Sequence, residues 1–144
     1  MIYSRVLVFL QFSIIFILVF FSKGFFSNIF YILLFLIGAG VGIWAILHNK
    51  RDNFYILPEM RENAKLITTG PYRYIRHPMY FSVLLMMLPF VLATKSALFW
   101  ILYVILIVVL YLKAIKEESL WQRYRSKEYT LYKNKTKAII PFIL

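Results

Sequence analysis

Long apolar runs punctuated by basic segments constrain this chain more than any single residue does. Val6 to Phe21, VLVFLQFSIIFILVFF, and Ile29 to Leu47, IFYILLFLIGAGVGIWAIL, each approach the roughly 20 residues that carry a helix across a bilayer core. Two further runs, Pro78 to Ala93 and Ala97 to Leu112, are separated only by a tight ATKS turn. Each is somewhat short of a full crossing at about 1.5 Å per residue, so both are expected to continue as helix past the hydrocarbon edge. Pro89 is expected to kink or end the third run, because proline removes an intrahelical hydrogen bond. Arg5 before the first run resembles the start of a signal peptide, but SKGFFSN after it has no small-residue cleavage pattern and reads as a short turn.

These runs predict an all-α fold: a polytopic membrane protein with four transmembrane helices, the last two a helical hairpin, followed by a cytoplasmic amphipathic helix. The single domain, 1–144, divides into two N-terminal spans (1–47), a loop (48–77), the hairpin (78–112) and a tail (113–144). Hydrophobic residues make up 62% of the chain, far above the soluble norm. The net charge of +11 is then explained by cations flanking spans and meeting anionic headgroups, without nucleic acid as a partner. Arg5, the cations from Lys50 to Arg76 and those from Lys113 to Lys137 lie on one side of the four spans, against Lys23 and Lys95 on the other. The positive-inside rule then puts both termini, the loop and the tail in the cytoplasm. Without cysteine, and with only two histidines, thiolate chemistry is excluded and no metal site is expected.

Between the second and third runs stands LITTGPYRYIRHPMY, Leu66 to Tyr80. Gly70-Pro71 is a turn signal. His77-Pro78 is a helix start, since proline suits the first helical turn and pushes the preceding residue out of the α region. The segment therefore delivers Tyr72, Tyr74, Arg76 and His77 to the mouth of the next helix. On the tail, Lys113, Glu117, Trp121, Tyr124 and Glu128 recur at helical spacing, as if one helix ran on to about Tyr132 with Leu120 and Leu131 toward the membrane interface. The tail reads either as a solvated, lipid-associated stop helix or, because two adjacent carboxylates beside an anionic bilayer surface need a reason, as one whose Glu117 and Glu118 bind a positive group. In the second run, Gly38 and Gly42 form a small-xxx-small pair that would let another helix approach closely, unless they reflect only how common glycine is in membrane helices.

In order and spacing these boxes resemble the isoprenylcysteine carboxyl methyltransferase and phospholipid methyltransferase superfamily. The resemblance rests on Thr69, Gly70 and Tyr72; Arg76, His77, Pro78 and Tyr80; Glu117 and Glu118; Tyr129 and Tyr132; and Pro141. It implies transfer of a methyl group from S-adenosylmethionine to a lipid-borne acceptor, by carboxylate O-methylation or amine N-methylation. Cofactor contacts implied by position are Lys65, Leu66, Ile67, Tyr72, His77, Pro78, Met79, Tyr80, Glu117 and Glu118. His77, Arg76 and Lys113 are implied at the reacting end. Lys113 stands where the carboxyl methyltransferases carry an arginine for the acceptor carboxylate, and it lacks that residue's bidentate fork. Ser126 stands where relatives often have glycine, which bears on helix continuation there. The acceptor is expected to enter sideways, past the aromatic and glycine-rich parts of the second and third spans. Two other readings stay open at the level of sequence: an NADPH-dependent membrane lipid or sterol-type reductase, whose C-terminal hairpin is similar, and a non-enzymatic four-span adaptor.

Overall fold

Glycine spacing in the second apolar run and proline placement in the third decide how the helices meet. A computed structural model of the chain describes residues 2–49 and 65–140. Five α-helices follow in order: α1 (Ile2–Phe20), α2 (Ile29–Asn49), α3 (Pro78–Thr94), α4 (Ala97–Tyr124) and α5 (Ser126–Lys135). No strand occurs among the described residues, though Ile75 and Lys137 form an isolated parallel bridge. The basic loop from Lys50 and the late Pro141 lie outside the described residues.

Among the described residues three helices, α1, α2 and α4, are long and apolar enough to cross a membrane, whereas α3 is a shorter apolar helix of 17 residues. Their outward faces are large and apolar, as in Phe9, Phe20 and Leu47, which suits a lipid surround rather than water. α4 does run on past its apolar stretch, as expected, but α3 does not: it ends at Thr94, closed by Lys95 in the left-handed region at φ 52°. Pro89 neither ends it nor leaves it exposed; the proline is buried within the helix, which continues for another turn.

α3 lies between α2 on one side and α1 with α4 on the other. Gly38 and Gly42 face it directly. A Cβ at Gly38 would come within 2.8 Å of the Met86 backbone nitrogen, and one at Gly42 within 2.8 Å of Ser82 Oγ. The small-residue pair is therefore spent on packing inside the chain, while Gly40 between them faces open space. On the far side of α3, Tyr103 of α4 donates to the Leu84 carbonyl at 3.0 Å. A core of Leu7, Ile14, Leu18, Leu84, Phe90, Leu106 and Leu110 fills the space between α1, α3 and α4. At the end of the bundle remote from the motif, the Phe25 ring stacks on Phe90 at 4.4 Å and the Lys23 N–H donates to Thr94 Oγ1 at 3.1 Å.

The tail departs from one continuous helix. At Arg125, with φ −140° and ψ 51°, the backbone leaves the helical region, and α5 restarts at Ser126. Glu128 therefore does not share a face with Lys113 and Glu117; it pairs with Arg125 on the surface at 3.1 Å. The corner is held by Trp121 and Tyr129, whose rings stack at 6.4 Å, and by Gln122, which donates to Ser126 Oγ and Thr130 Oγ1. α5 thereby turns Tyr132 toward the motif, where its hydroxyl donates to the Tyr72 carbonyl at 2.6 Å in a buried position. Tyr132→Phe leaves that carbonyl without its donor and is expected to cost about 1–3 kcal/mol, read as a lower midpoint of thermal unfolding in detergent micelles.

Candidate functional site

Local geometry of the motif follows its glycine and prolines. Gly70 adopts φ +60°, opening a tight turn over Gly70–Arg73, and a Cβ there would lie 2.7 Å from the His48 ring at the end of α2. His48 Nε2 also lies 2.7 Å from Thr69 Oγ1, so the turn is seated on α2 from both sides. Within the turn Pro71 and Tyr72 are buried, while Tyr74 just after it is exposed. The chain then extends, and the N–H groups of Arg76 and His77 donate to the carbonyls of Lys137 and Ala138 at 2.8 and 2.9 Å. His77 is the residue before α3 and Pro78 opens the helix, as the sequence predicts.

From this frame Arg76, His77 and Tyr80 meet Glu117 and Glu118 of α4. Arg76 Nε donates to Glu118 Oε1 at 2.7 Å with both side chains buried. Its Nη1 donates to the carbonyls of Lys133, at 3.3 Å, and Thr136. Lys133 Nζ holds the other oxygen of Glu118 at 2.9 Å. His77 lies between the two acids, Nδ1 3.3 Å from Glu117 Oε2 and Nε2 3.4 Å from Glu118 Oε1. The second contact lacks hydrogen-bond alignment, and Nε2 is buried without an aligned hydrogen bond among the described residues. Tyr80 donates its hydroxyl to Glu117 Oε1 and stacks its ring on the His77 imidazole at 5.4 Å. Lys113 Nζ sits 5.0 Å from the centroid of the Tyr80 ring.

The cationic partners that the acidic pair requires are thus supplied by the chain itself. Of the residues implied by the resemblance, the structure brings together Arg76, His77, Tyr80, Lys113, Glu117 and Glu118. Tyr72 is buried within the motif turn, its carbonyl tied to Tyr132, while Pro78 and Met79 lie in the first turn of α3. Lys65, Leu66 and Ile67 run in the irregular segment leading into the turn, with Lys65 exposed and the two apolar residues half-buried. Arg76 has a plain packing role, since its guanidinium joins α4 to the end of α5. The sequence gives no signal for Lys133 or Thr136; Tyr129, which with Tyr132 carries part of the resemblance, is buried, and its hydroxyl has no hydrogen-bond partner among the described residues.

Charge in this cluster depends on pH in two opposite directions. Burial works against protonation of His77, but its contacts with Glu117 and Glu118 prevail and hold its pKa above the ordinary 6.5. Burial likewise works to raise Glu118, and His77, Lys133 and Arg76 overcome it, holding the carboxyl down at about 2 against an ordinary 4.5. A raised histidine stabilises fully below the unfolded value of 6.5 and loses that contribution as pH climbs through its folded value. A depressed carboxylate stabilises fully above 4.5 and loses its contribution as pH falls toward 2. Stability is therefore expected to be greatest between these limits and to decline on the alkaline side of pH 6.5. Thermal unfolding in micelles across this range checks it, and His77→Asn is expected to flatten the alkaline limb while leaving the acid one.

Comparison with known proteins agrees with the motif. No curated protein and no solved structure gives a significant match. The family model described as phospholipid methyltransferase matches residues 26–127, a segment that holds α2, the motif, α3 and all of α4 but leaves out α1 and nearly all of α5. With more than half of its length matched, this membrane protein belongs to the phospholipid methyltransferase family.

Proposed function

We propose that the chain is an S-adenosylmethionine-dependent methyltransferase acting on a lipophilic or lipid-borne acceptor at the cytoplasmic face of a membrane. The observation that carries this reading is His77, held between Glu117 and Glu118 at 3.3 and 3.4 Å with Nε2 buried and in no aligned hydrogen bond among the described residues, within the segment that matches the family. A buried donor or acceptor without a partner is costly, and a polar ligand that meets it relieves the cost. The group's chemistry fits the side chains nearby. Glu117, its side chain 24% exposed, suits an ammonium or ribose hydroxyls. The Tyr72 and Tyr80 rings suit an adenine or a sulfonium, and the start of α3 suits a carboxylate. Lys65, Leu66, Ile67, Pro78 and Met79 are proposed to border the same ligand.

When bound, S-adenosylmethionine supplies a methyl group on sulfonium sulfur, which an acceptor oxygen or nitrogen takes by direct displacement. The protein's part is positioning and exclusion of water, the terms that lower such a barrier without covalent chemistry. A carboxylate acceptor requires no base. For an amine acceptor, His77 or Glu117 takes the proton. Lys113 is proposed to face a negative group of the acceptor, and Arg76 to hold Glu118 in place. Four spans with both termini cytoplasmic are proposed on the cation distribution. The antiparallel contacts of Ser4 with Lys116 and Gln11 with Lys113 support the same disposition of α1 and α4.

Equilibrium binding of labelled S-adenosylmethionine and of NADPH to the purified chain in detergent tests the reading. Saturable binding of the first is expected; tight NADPH binding with no response to the first would reject it in favour of a reductase. Supplying methyl-labelled S-adenosylmethionine to membranes and analysing lipid extracts and membrane peptides by mass spectrometry then identifies the acceptor.

A further inference from the structure

We propose that Gln11 is a positioning residue for Lys113, and that α1 is thereby part of the site although it lies outside the family-matched segment. The functional half of this inference rests on the methyltransferase reading; the structural half does not.

α1 buries a stripe of Ser4, Leu7, Gln11, Ile14 and Leu18. A glutamine inside an apolar helix is tolerated when its polar atoms are bonded. Here Gln11 Oε1 accepts from Lys113 Nζ at 2.6 Å. Lys113 opens the polar extension of α4, the place from which a long lysine ordinarily stretches toward water. It does the reverse. Its side chain is 1% exposed, with the ammonium against the Tyr80 ring. Tyr80 in turn donates to Glu117, which lies beside His77. A continuous set of contacts, Gln11 to Lys113 to Tyr80 to Glu117 to His77, therefore joins α1 to the acidic pair.

An ammonium carries three donors, and among the described residues Gln11 is the hydrogen-bond partner of Lys113. The remaining N–H groups suit an anionic oxygen, phosphodiester or carboxylate, on the acceptor. Ser4, which accepts from Lys116, fixes the register of α1 on α4 that brings Gln11 opposite Lys113. Gln11 thus sets where the cation stands when such an anion arrives.

The test has two arms on the full chain. In phospholipid nanodiscs, a water-soluble acetylating ester is applied and each lysine is quantified by peptide mass spectrometry, with exposed Lys127 and Lys137 as references. Wild-type Lys113 is expected to react at least about tenfold less than Lys127, and Gln11→Leu to erase most of that difference by freeing the side chain to reach water. Gln11→Glu, which still accepts from an ammonium, is expected to keep Lys113 shielded. In mixed micelles of detergent and total phospholipid extract, transfer from methyl-labelled S-adenosylmethionine is measured against lipid content. Gln11→Leu is expected to raise the lipid content at half-maximal rate by about tenfold, with the maximal rate and S-adenosylmethionine affinity little changed, as for a lost binding contact. Gln11→Glu is expected to restore it. A role confined to helix packing lowers thermal stability without producing that split. Equal shielding of Lys113 in Gln11→Leu and wild type would overturn the positioning, and an unshifted lipid dependence would overturn the place of α1 in the site. A wild-type chain that neither binds S-adenosylmethionine nor transfers its methyl group overturns the functional half together with the proposed function, while the labelling contrast still decides whether Gln11 holds Lys113.

Discussion

Glu118→Leu is expected to cost about 3–5 kcal/mol, the size of breaking a buried ion pair from one side. Lys133, half of whose side chain is already exposed, can turn to water when its partner goes. Arg76 cannot. Its side chain is 9% exposed, and its Nη1 remains committed to the Lys133 and Thr136 carbonyls, so its charge stays buried without an anion. His77 also loses one of the two acids that favour its charged form. Denaturant or thermal unfolding in micelles reads the loss. The double variant Arg76→Met with Glu118→Leu is expected to lose less than the sum of the two single variants, because the uncompensated charge is removed along with its partner. A Glu118→Leu variant within about 1 kcal/mol of wild type would mean that Arg76 reaches solvent and that the pair contributes no more than a surface one.

His77→Ala is expected to reduce methyl transfer on the order of 10²-fold or more, in the range of losing a positioned acid–base or hydrogen-bonding group. The ring contacts both acids and stacks on Tyr80, so its removal takes one of the two side chains that hold Glu117 among the described residues, the other being Tyr80, and opens space beside it. S-adenosylmethionine affinity is expected to fall at least about tenfold, equivalent to about 1.4 kcal/mol. Glu117→Gln is expected to weaken binding in the same direction, since it keeps the shape and removes the charge. Titration calorimetry on protein in detergent separates affinity from rate. Unchanged affinity and rate in His77→Ala would remove the imidazole from the site and leave it as the residue that opens α3.

Much of this was legible in sequence because it is local. Gly70-Pro71 makes a turn and Pro78 opens a helix for reasons contained in a few neighbouring residues, and apolar run length alone marks α1, α2 and α4. Glu117 and Glu118 drew attention because unpaired acids at that place are anomalous. Their partners were less legible. Lys133 is one cation among several on the tail, and only the break at Arg125, made without glycine or proline, swings it back toward Glu118. Gln11 and Ser4 gave no signal in a run that is otherwise apolar, since their meaning depends on α4 lying antiparallel beside them. At Pro89 the local rule allowed a kink or an end, and the helix does not end there: it runs on to Thr94 with the proline buried.

The short parallel pairing that seats Arg76 and His77 on Lys137 and Ala138 also governs timing. Synthesis runs from the amino end, so the motif emerges long before the segment that satisfies its amides. Until that later segment leaves the ribosome, Arg76 has neither its backbone acceptors nor a fixed Glu118. The apolar helices can insert in their turn, but the backbone pairing of Arg76 and His77 must wait for the segment around Lys137 and Ala138.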